Sequence, residues 1–395
     1  MGALNADRWF LRERIARHFP VVPAIPGVMS TPPTITQGTV GGASQISGSY
    51  NVPNTDAVFT YLGSRSAAFI NGFTVCDAVR PSTGATSGGT GWAVTFLHDG
   101  TEFEIKMQSS SGNANYNVLV DGQYVVARAS YKTQAAGGGT FRDRFVFGSR
   151  APRHITIEMY SGMRFGGIEV DPTGRLIKAP VSPLRMVVVG DSLGEGSTQA
   201  RPCGGYAWIA GRHMLGIADI WSASVGATGY VATAGGTKLK YRDRLAEVIA
   251  LAPDIVLIQS SINDAGSEAS AVTEAGLCFA ALRAGLPAAV LIGTGVLNMH
   301  GTNSGYDTIG AGVQAALAAL SGPTAYIANT QSGASTGAGT GSGQWAWGTG
   351  NTGATTGTGN ADLYCDTDGT HPNAAGHDYL AWRMGMAARA AILAL

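Results

Sequence analysis

Four residues of the types that acyl transfer requires occur in order along the chain, in three separate loops. Ser192 and Asn263 each follow an apolar run, and near the C-terminus Asp368 precedes His371 by three residues. Acyl transfer through serine needs a base for the hydroxyl proton, an acid to orient that base, and donors for the oxyanion. All these residue types are present. Taken alone, Ser192 could also be a turn serine that caps the next helix.

The elements after Pro180 would bring these loops together, because strands alternate with helices there. This alternation predicts a parallel sheet with helices on both faces, a three-layer α/β/α domain. Ligands bind at the carboxyl edge of such sheets, where the candidate residues lie. The five predicted strands are Leu184 to Val189, Ile217 to Ser222, Asp254 to Gln259, Ala288 to Gly293 and Thr324 to Ala328. The predicted helices are Tyr206 to Leu215, Leu239 to Leu251, Ala269 to Ala284, Thr308 to Leu320 and Asn373 to about Leu393.

Residues 34–180 have a different pattern, with short alternating runs separated by turn residues. Asp121-Gly122 between two runs is a hairpin signal. The pattern predicts an all-β, jelly-roll-like sandwich domain. Its predicted strands are Ala57 to Leu62, Ala67 to Val75, Trp92 to Leu97, Phe103 to Gln108, Tyr116 to Val120, Gln123 to Ala127, Phe141 to Phe147, His154 to Met159 and Gly167 to Val170.

Residues 1–33 form a third segment, an amphipathic helix followed by a proline-rich linker. Leu4, Leu11, Ile15 and Phe19 fall on one helical face, and Pro20 ends the helix. The helix either attaches the protein to another chain, such as a second copy, or lies on its own domain. No apolar signal core is visible, and localisation stays open between secreted and cytoplasmic.

Composition narrows the classes of partner. The 395 residues carry 26 basic and 26 acidic side chains, so no basic field favours nucleic acid. No apolar run approaches the roughly 20 residues that span a bilayer. Four cysteines without a C-x-x-C pair do not predict zinc, and nothing implies a cofactor. Cys203 and Cys365 could form a disulfide if their loops converge; free thiols are the default.

The residues after 181 resemble an SGNH hydrolase, the GDSL-type esterase superfamily. Gly190-Asp191-Ser192-Leu193 matches the first of four short blocks, Thr228-Gly229 the second, Ile262-Asn263-Asp264 the third and Asp368-Gly369-Thr370-His371-Pro372 the fourth. The resemblance implies that Ser192 is the nucleophile, His371 the base and Asp368 its orienting acid. It also implies an oxyanion hole of Ser192 N–H, Gly229 N–H and the Asn263 amide, with Gly226 as the alternative glycine.

A sandwich followed by such a domain is similar to the acetyl esterases of carbohydrate esterase family two. Asn117 to Gly122 and Arg153 to Glu158 look like that family's sandwich strands. The resemblance implies a serine esterase that removes O-acetyl groups from a saccharide through an acyl-enzyme. A lipase or thioesterase for longer acyl chains and a non-catalytic carbohydrate-binding protein are the alternatives.

Residues 330–360 form a Gly/Ser/Thr-rich insertion between the last strand and the acid–histidine segment. A long aperiodic segment in a compact domain is either disordered or a functional loop. Trp345 and Trp347 offer flat apolar faces that suit stacking on sugar rings. We therefore expect this loop to overhang the site and hold a saccharide; a surface insertion without function is the alternative.

Overall fold

The computed structural model describes residues 11–70, 72–77, 91–109, 113–127, 130–133, 139–160, 162–331, 343–353 and 357–395. Two antiparallel sheets come first along the chain and a parallel sheet with helices follows. The first fourteen strands are β1 Thr34–Gln37, β2 Tyr50–Pro53, β3 Thr60–Leu62, β4 Arg65–Ile70, β5 Phe73–Asp77, β6 Gly91–His98, β7 Glu102–Ser109, β8 Asn113–Val120, β9 Gln123–Tyr124, β10 Ser130–Thr133, β11 Thr140–Val146, β12 Arg153–Tyr160, β13 Met163–Val170 and β14 Leu176–Ile177.

The two antiparallel sheets share one apolar core. One sheet has the order β1-β11-β7-β13-β5-β4 with β2 on β13, and the other has β10-β8-β12-β6-β14 with β3 and β9 attached. Alternate residues point inward along each strand, as Phe141 and Phe145 do in β11. The ring of Phe145 stacks on that of Phe103 in β7 at 5.2 Å between centroids. The jelly-roll connectivity itself stays a prediction.

Several strand predictions differ from the structure. The run Ala67 to Val75 forms two antiparallel strands, β4 and β5, instead of one. The turn between them includes Gly72, which has a φ of +82°. Glycine adopts this angle readily, whereas other residues adopt it only at an energetic cost. The short strands β1, β2, β10 and β14 carried no alternating pattern long enough to be predicted.

The parallel sheet agrees closely with the prediction. Its strands are β15 Arg185–Val189, β16 Asp219–Ser222, β17 Ile255–Ser260, β18 Val290–Val296 and β19 Thr324–Ile327, in the order β16-β15-β17-β18-β19. The central strands β17 and β18 are buried along their whole length, which explains their unbroken apolar sequence. The prediction of a five-stranded parallel sheet within an α/β part is confirmed.

Helices cover both faces of this sheet. They are α1 Ser192–Glu195, α2 Tyr206–Ile209, α3 Leu245–Ala250, α4 Glu268–Gly285, α5 Gly305–Ala318, α6 Ala361–Tyr364 and α7 Ala374–Leu393. The predicted helices at Tyr206 and Leu239 are less regular than expected, because α2 continues as a π-helical turn and a 3₁₀ turn precedes α3. Asn373 caps α7 through a bond from Gly376 N–H to its side-chain oxygen at 2.8 Å.

Residues 11–16 form a helix that lies on the parallel-sheet part of the same chain. Ile15 is fully buried in its core, and Phe19 packs beneath the Arg389 guanidinium of α7. This packing is the second of the two alternatives for the N-terminal segment. Leu4 lies outside the described residues. Within the described part of the chain, no helix combines the length and apolarity needed to cross a membrane.

Candidate active site

Ser192, His371 and Asp368 form a continuous hydrogen-bonded chain. Ser192 Oγ lies 2.8 Å from His371 Nε2, and His371 Nδ1 lies 2.5 Å from Asp368 Oδ2. Ser192 is the first residue of α1, directly beyond the carboxyl end of β15. Its side chain is partly exposed, so a ligand can reach the hydroxyl. The structure therefore brings a hydroxyl, an imidazole and a carboxylate together from segments 179 residues apart.

The acid and the histidine occupy one tight loop ahead of α7. Asp366 N–H donates to His371 O at 2.7 Å, which closes the loop. Asp368 Oδ1 accepts from the N–H groups of Thr370 and His371, both at 2.9 Å. Burial would raise the pKa of Asp368, but the hydrogen bonds from the His371 side chain and backbone outweigh it and lower the pKa. The carboxylate is therefore held ionised and aimed at the ring.

The second-block glycine nearest to the nucleophile is Gly226, not Gly229. A Cβ built on Gly226 would lie 3.4 Å from Ser192 Cβ. Gly229 packs against the Asp264 carboxylate, and its N–H donates to Ala232 O at 3.1 Å. That N–H is used within its own turn. The N–H of Gly226 is also engaged, since it donates to Glu195 Oε2 at 2.8 Å. Gly226, the alternative glycine, therefore lies closer to Ser192 than Gly229 does, and the oxyanion role of either glycine stays a prediction.

Asn263 lies in a 3₁₀ turn, Ile262–Asp264, that follows β17. Its Nδ2 is 3.1 Å from Thr228 O and 3.0 Å from Ser261 Oγ. The amide is therefore held against the second-block turn and is partly exposed, while Asp264 accepts three backbone N–H groups of the same turn. Asn263 thus occupies the strand-end position that the sequence predicts, beside the Gly226 loop.

A buried polar network holds the loop that carries Ser192. Asp191 is fully buried and accepts from Leu193 N–H at 2.9 Å, Gln259 Nε2 at 2.8 Å and Ser261 Oγ at 2.8 Å. Burial raises the pKa of Asp191, against the effect of these donors. Gln259 in turn accepts from the Tyr206 hydroxyl at 2.7 Å. The roles of Gln259 and Tyr206 are not readable from sequence, because neither residue belongs to a local motif.

The structure separates the two tryptophans. Trp345 is 1% exposed and lies in the core, with the Arg383 guanidinium of α7 over its ring at 5.3 Å. It cannot stack on a sugar, so that prediction is wrong: the helix α7 covers the indole. Trp347 is 36% exposed and keeps a free apolar surface. Of the predicted insertion, 332–342 and 354–356 lie outside the described residues.

The described end of that insertion supports the histidine loop. Thr352 N–H and Oγ1 both bond to Cys365 O, at 2.9 and 2.7 Å. Asn351 Nδ2 donates to Thr367 O at 3.2 Å. Polar side chains in a sequence of low complexity thus fix the start of the loop that presents Asp368.

The cysteines in described surroundings are free and buried. Cys203, Cys278 and Cys365 carry free thiols, so the alternative of a disulfide between Cys203 and Cys365 does not hold. Burial raises the pKa of Cys203 far above its usual value and that of Cys365 to about 11. Across the described residues, His, Cys, Asp and Glu side chains nowhere gather in threes suited to a metal ion.

Comparison with known proteins identifies the fold. No protein-family model matches the sequence, and no curated protein matches it. Among solved structures, a family two carbohydrate esterase from Cellvibrio japonicus has a TM-score of 0.58 at 13% identity, over 87% of this chain and 98% of that one. A family two carbohydrate esterase from Clostridium thermocellum in complex with cellohexaose has 0.55 at 17%, over 83% and 97%.

A third structure with this fold is the salicylyl-acyltransferase SsfX3 of a tetracycline biosynthetic pathway. It has a TM-score of 0.59 at 16% identity, over 88% of this chain and 99% of that one. At such identities the likeness is one of fold. The predicted resemblance to carbohydrate esterase family two is confirmed at that level, and it extends through both parts of the chain.

Proposed function

We propose that this protein is a serine esterase that works through an acyl-enzyme. The chain of contacts from Ser192 Oγ to His371 Nε2 at 2.8 Å, and from His371 Nδ1 to Asp368 Oδ2 at 2.5 Å, carries the proposal. A hydroxyl, an imidazole and a carboxylate in this order can activate the hydroxyl without a cofactor.

Each step follows from this geometry. His371 Nε2 takes the proton of Ser192 as Oγ attacks the ester carbonyl, and Asp368 stabilises the imidazolium that forms. Backbone N–H groups near Ser192 would stabilise the tetrahedral oxyanion, together with the Asn263 amide once it turns from Thr228 O toward the substrate. The imidazolium then protonates the leaving alkoxide. Water repeats the sequence on the acyl-enzyme and releases the acid.

We propose O-acetylated saccharides as the substrate class. The fold shared with family two carbohydrate esterases, one of them in complex with cellohexaose, supports this choice. So does the formal net charge of zero, which suits an uncharged polymer. In this proposal residues 1–33 form the N-terminal helix and a proline-rich linker. Residues 34–180 form a jelly-roll-like sandwich domain, and residues 181–395 form the hydrolase domain.

The first experiment measures hydrolysis of p-nitrophenyl acetate. Ser192→Ala and His371→Ala should each reduce kcat by about 10⁴ or more, since either change removes a reacting group. Thermal unfolding of both variants should match the wild type, because both side chains reach the surface. Hydrolysis that persists in the Ser192→Ala variant would disprove the assignment, and a wild type without any esterase activity would favour a binding protein.

The second experiment tests the substrate class by measuring acetate released from a panel of acetylated glycans. Trp347→Ala should raise KM for an acetylated oligosaccharide several-fold and leave KM for p-nitrophenyl acetate unchanged, because only the longer ligand can meet the exposed indole. Faster hydrolysis of octanoate than of acetate esters would favour the lipase or thioesterase alternative instead.

Acyl transfer is a second candidate function, favoured by the fold shared with a salicylyl-acyltransferase. The same acyl-enzyme would form, but an alcohol would replace water in the second step. Added alcohols at rising concentration separate the two functions. An esterase should keep releasing acetate, whereas a transferase should form mainly the new ester.

A further inference from the structure

The Gly226 peptide, which lies beside Ser192, is held by side chains of opposite charge. Gly226 N–H donates to Glu195 Oε2 at 2.8 Å, and Lys238 Nζ donates to Gly226 O at 2.8 Å. Glu195 is the last residue of α1, the helix that Ser192 begins. The nucleophile and one of the two charged groups therefore share a single helical turn.

Space around this glycine is fully used. A Cβ on Gly226 would lie 2.9 Å from Glu195 Oε2, closer than side chains tolerate, as well as 3.4 Å from Ser192 Cβ. Arg244, which is 1% exposed, supports the same loop through bonds to Ala223 O at 2.9 Å and Thr228 Oγ1 at 3.2 Å. The backbone of the Gly226 loop thus packs directly against Ser192. Charged side chains, Glu195 and Arg244, contact the same loop.

The two contacts fix the directions of two successive N–H groups. Glu195 sets that of Gly226. The carbonyl of Gly226 and the N–H of Ala227 belong to one planar peptide, so Lys238 sets the direction of the second N–H by binding the carbonyl. Ala227 has a φ of +61°, a left-handed conformation that costs a non-glycine residue about 1 kcal/mol. Something must hold it there.

Burial of the Glu195 carboxylate is energetically unfavourable. Glu195 is 7% exposed, and its Oε1 has no hydrogen-bond partner within the described part of the chain. Burial raises the pKa of Glu195, while the Gly226 N–H, Lys238 and Arg244 counteract this rise. A buried carboxylate that lacks a full set of donors destabilises a fold, so stability alone does not explain its presence.

We propose that Glu195 and Lys238 are positioning residues that fix the two peptides on either side of Gly226, so that the N–H of Ala227 serves as an oxyanion donor for Ser192. The N–H of Gly226 is already bound to Glu195. This inference rests on the proposed esterase function. Because the oxyanion exists only in the transition state, loss of the orientation should lower kcat and leave KM nearly unchanged.

The kinetic test uses p-nitrophenyl acetate with single and double variants. Glu195→Ala and Lys238→Met should each lower kcat about 10-fold or more with KM within about 2-fold, as expected for a weakened oxyanion donor. Glu195→Gln should retain most activity, because its amide oxygen can still accept from Gly226 N–H. The double variant should lose less than the product of the two single losses, since both groups hold peptides that meet at Gly226.

A matched control and an inhibitor sharpen the test. Lys240→Met removes a nearby lysine whose ammonium pairs with Glu274 at 3.1 Å, and it should leave kcat unchanged. A boronic acid, which forms a tetrahedral adduct with an active serine, should bind more weakly to Glu195→Ala by the factor lost in kcat. Unchanged kcat and boronate affinity in Glu195→Ala would overturn the proposal, as would a loss matched by Lys240→Met.

Hydrogen exchange separates this inference from the proposed function. Amide exchange in the segment 223–230 should accelerate in Glu195→Ala and Lys238→Met but not in Lys240→Met, whether or not the protein hydrolyses esters. An inactive wild type, or an active Ser192→Ala variant, contradicts the esterase function. Active wild type with unchanged exchange in the Glu195 and Lys238 variants contradicts only the positioning role.

Discussion

The two ends of the Ser192–His371–Asp368 chain are held by different means. Around Ser192 the supporting groups are buried, since Asp191, Gln259 and Ser261 have no exposed surface. The acid–histidine loop lies at the surface, with the Asp368 side chain 44% exposed. The first end is attached to the strands β15 and β17. The second is attached to polar loop residues.

Because of this difference, substitutions at the two ends should affect stability and catalytic activity differently. A group inside the core can be removed only by disturbing the strands around it, because buried donors left without acceptors destabilise the fold. A group on an exposed loop can be removed with little effect on the fold, since water replaces the lost partner. Variants of the buried groups that support Ser192 should therefore change stability and activity together. Variants at the histidine end should change activity with little effect on stability.

The largest effect is expected from Asp191→Ala. The change leaves Leu193 N–H and Gln259 Nε2 without their acceptor, at about 1–3 kcal/mol for each buried donor, whereas Ser261 Oγ can still donate to Thr228 O at 2.8 Å. The free energy of unfolding should fall by at least about 2 kcal/mol. The value of kcat should fall with it, because Asp191 is the N-cap of α1. Urea unfolding and p-nitrophenyl acetate kinetics measure both.

Glu268→Ala is the control for Asp191→Ala, because it removes a carboxylate from the exposed first turn of α4. Its unfolding free energy should stay within about 0.5 kcal/mol of the wild type. If Asp191→Ala unfolds like this control, the buried network does not hold the serine end.

A smaller effect on kcat, with little effect on stability, is expected from Asp368→Ala. The change removes the acceptor of His371 Nδ1, so the ring loses its fixed orientation and kcat should fall about 10- to 100-fold. This loss is smaller than the roughly 10⁴-fold cost of an Asp→Asn change in a buried triad, since water can reach this exposed position. The melting temperature should fall by no more than a few degrees; a drop as large as that of Asp191→Ala would mean that the loop is part of the fold's core.

The sequence predicts best what depends on local spacing. Two residues separate Asp368 from His371, and a tight loop suffices to join their side chains. Ser192 follows an apolar strand directly, so the sheet edge fixes its place. The five parallel strands were equally readable, because β17 and β18 are apolar along their whole length.

The errors concern properties that tertiary structure decides. Whether Gly226 or Gly229 faces the serine depends on backbone angles, including the left-handed conformation of Ala227. The residue types in this segment do not predict that conformation. Trp345 looked like a surface aromatic within a polar segment, but α7 packs over it from a distant part of the sequence. The hydrogen bonds by which Thr352 supports the acid–histidine loop also join distant parts of the sequence, so no local pattern predicts them.

The smallest expected effects are changes of a few degrees in melting temperature with pH. They have opposite signs for Asp368, at the histidine end, and Asp191, at the serine end. Hydrogen bonds lower the pKa of Asp368, so its contribution to stability is present above the usual carboxyl range near about 4 and is lost as pH falls through the lowered value. Burial raises the pKa of Asp191, so its contribution is present at low pH and is lost as pH rises through the raised value.

Asparagine variants, which do not titrate, separate the two signs. The melting temperature of Asp368→Asn should approach that of the wild type as pH falls, because the ionised carboxylate that the wild type gains from is lost there. Asp191→Asn should approach the wild type as pH rises, because the wild type then loses the benefit of its buried proton. Parallel slopes for the two variants would show that both carboxyl groups experience the same environment, contrary to the contrast between a buried and an exposed end.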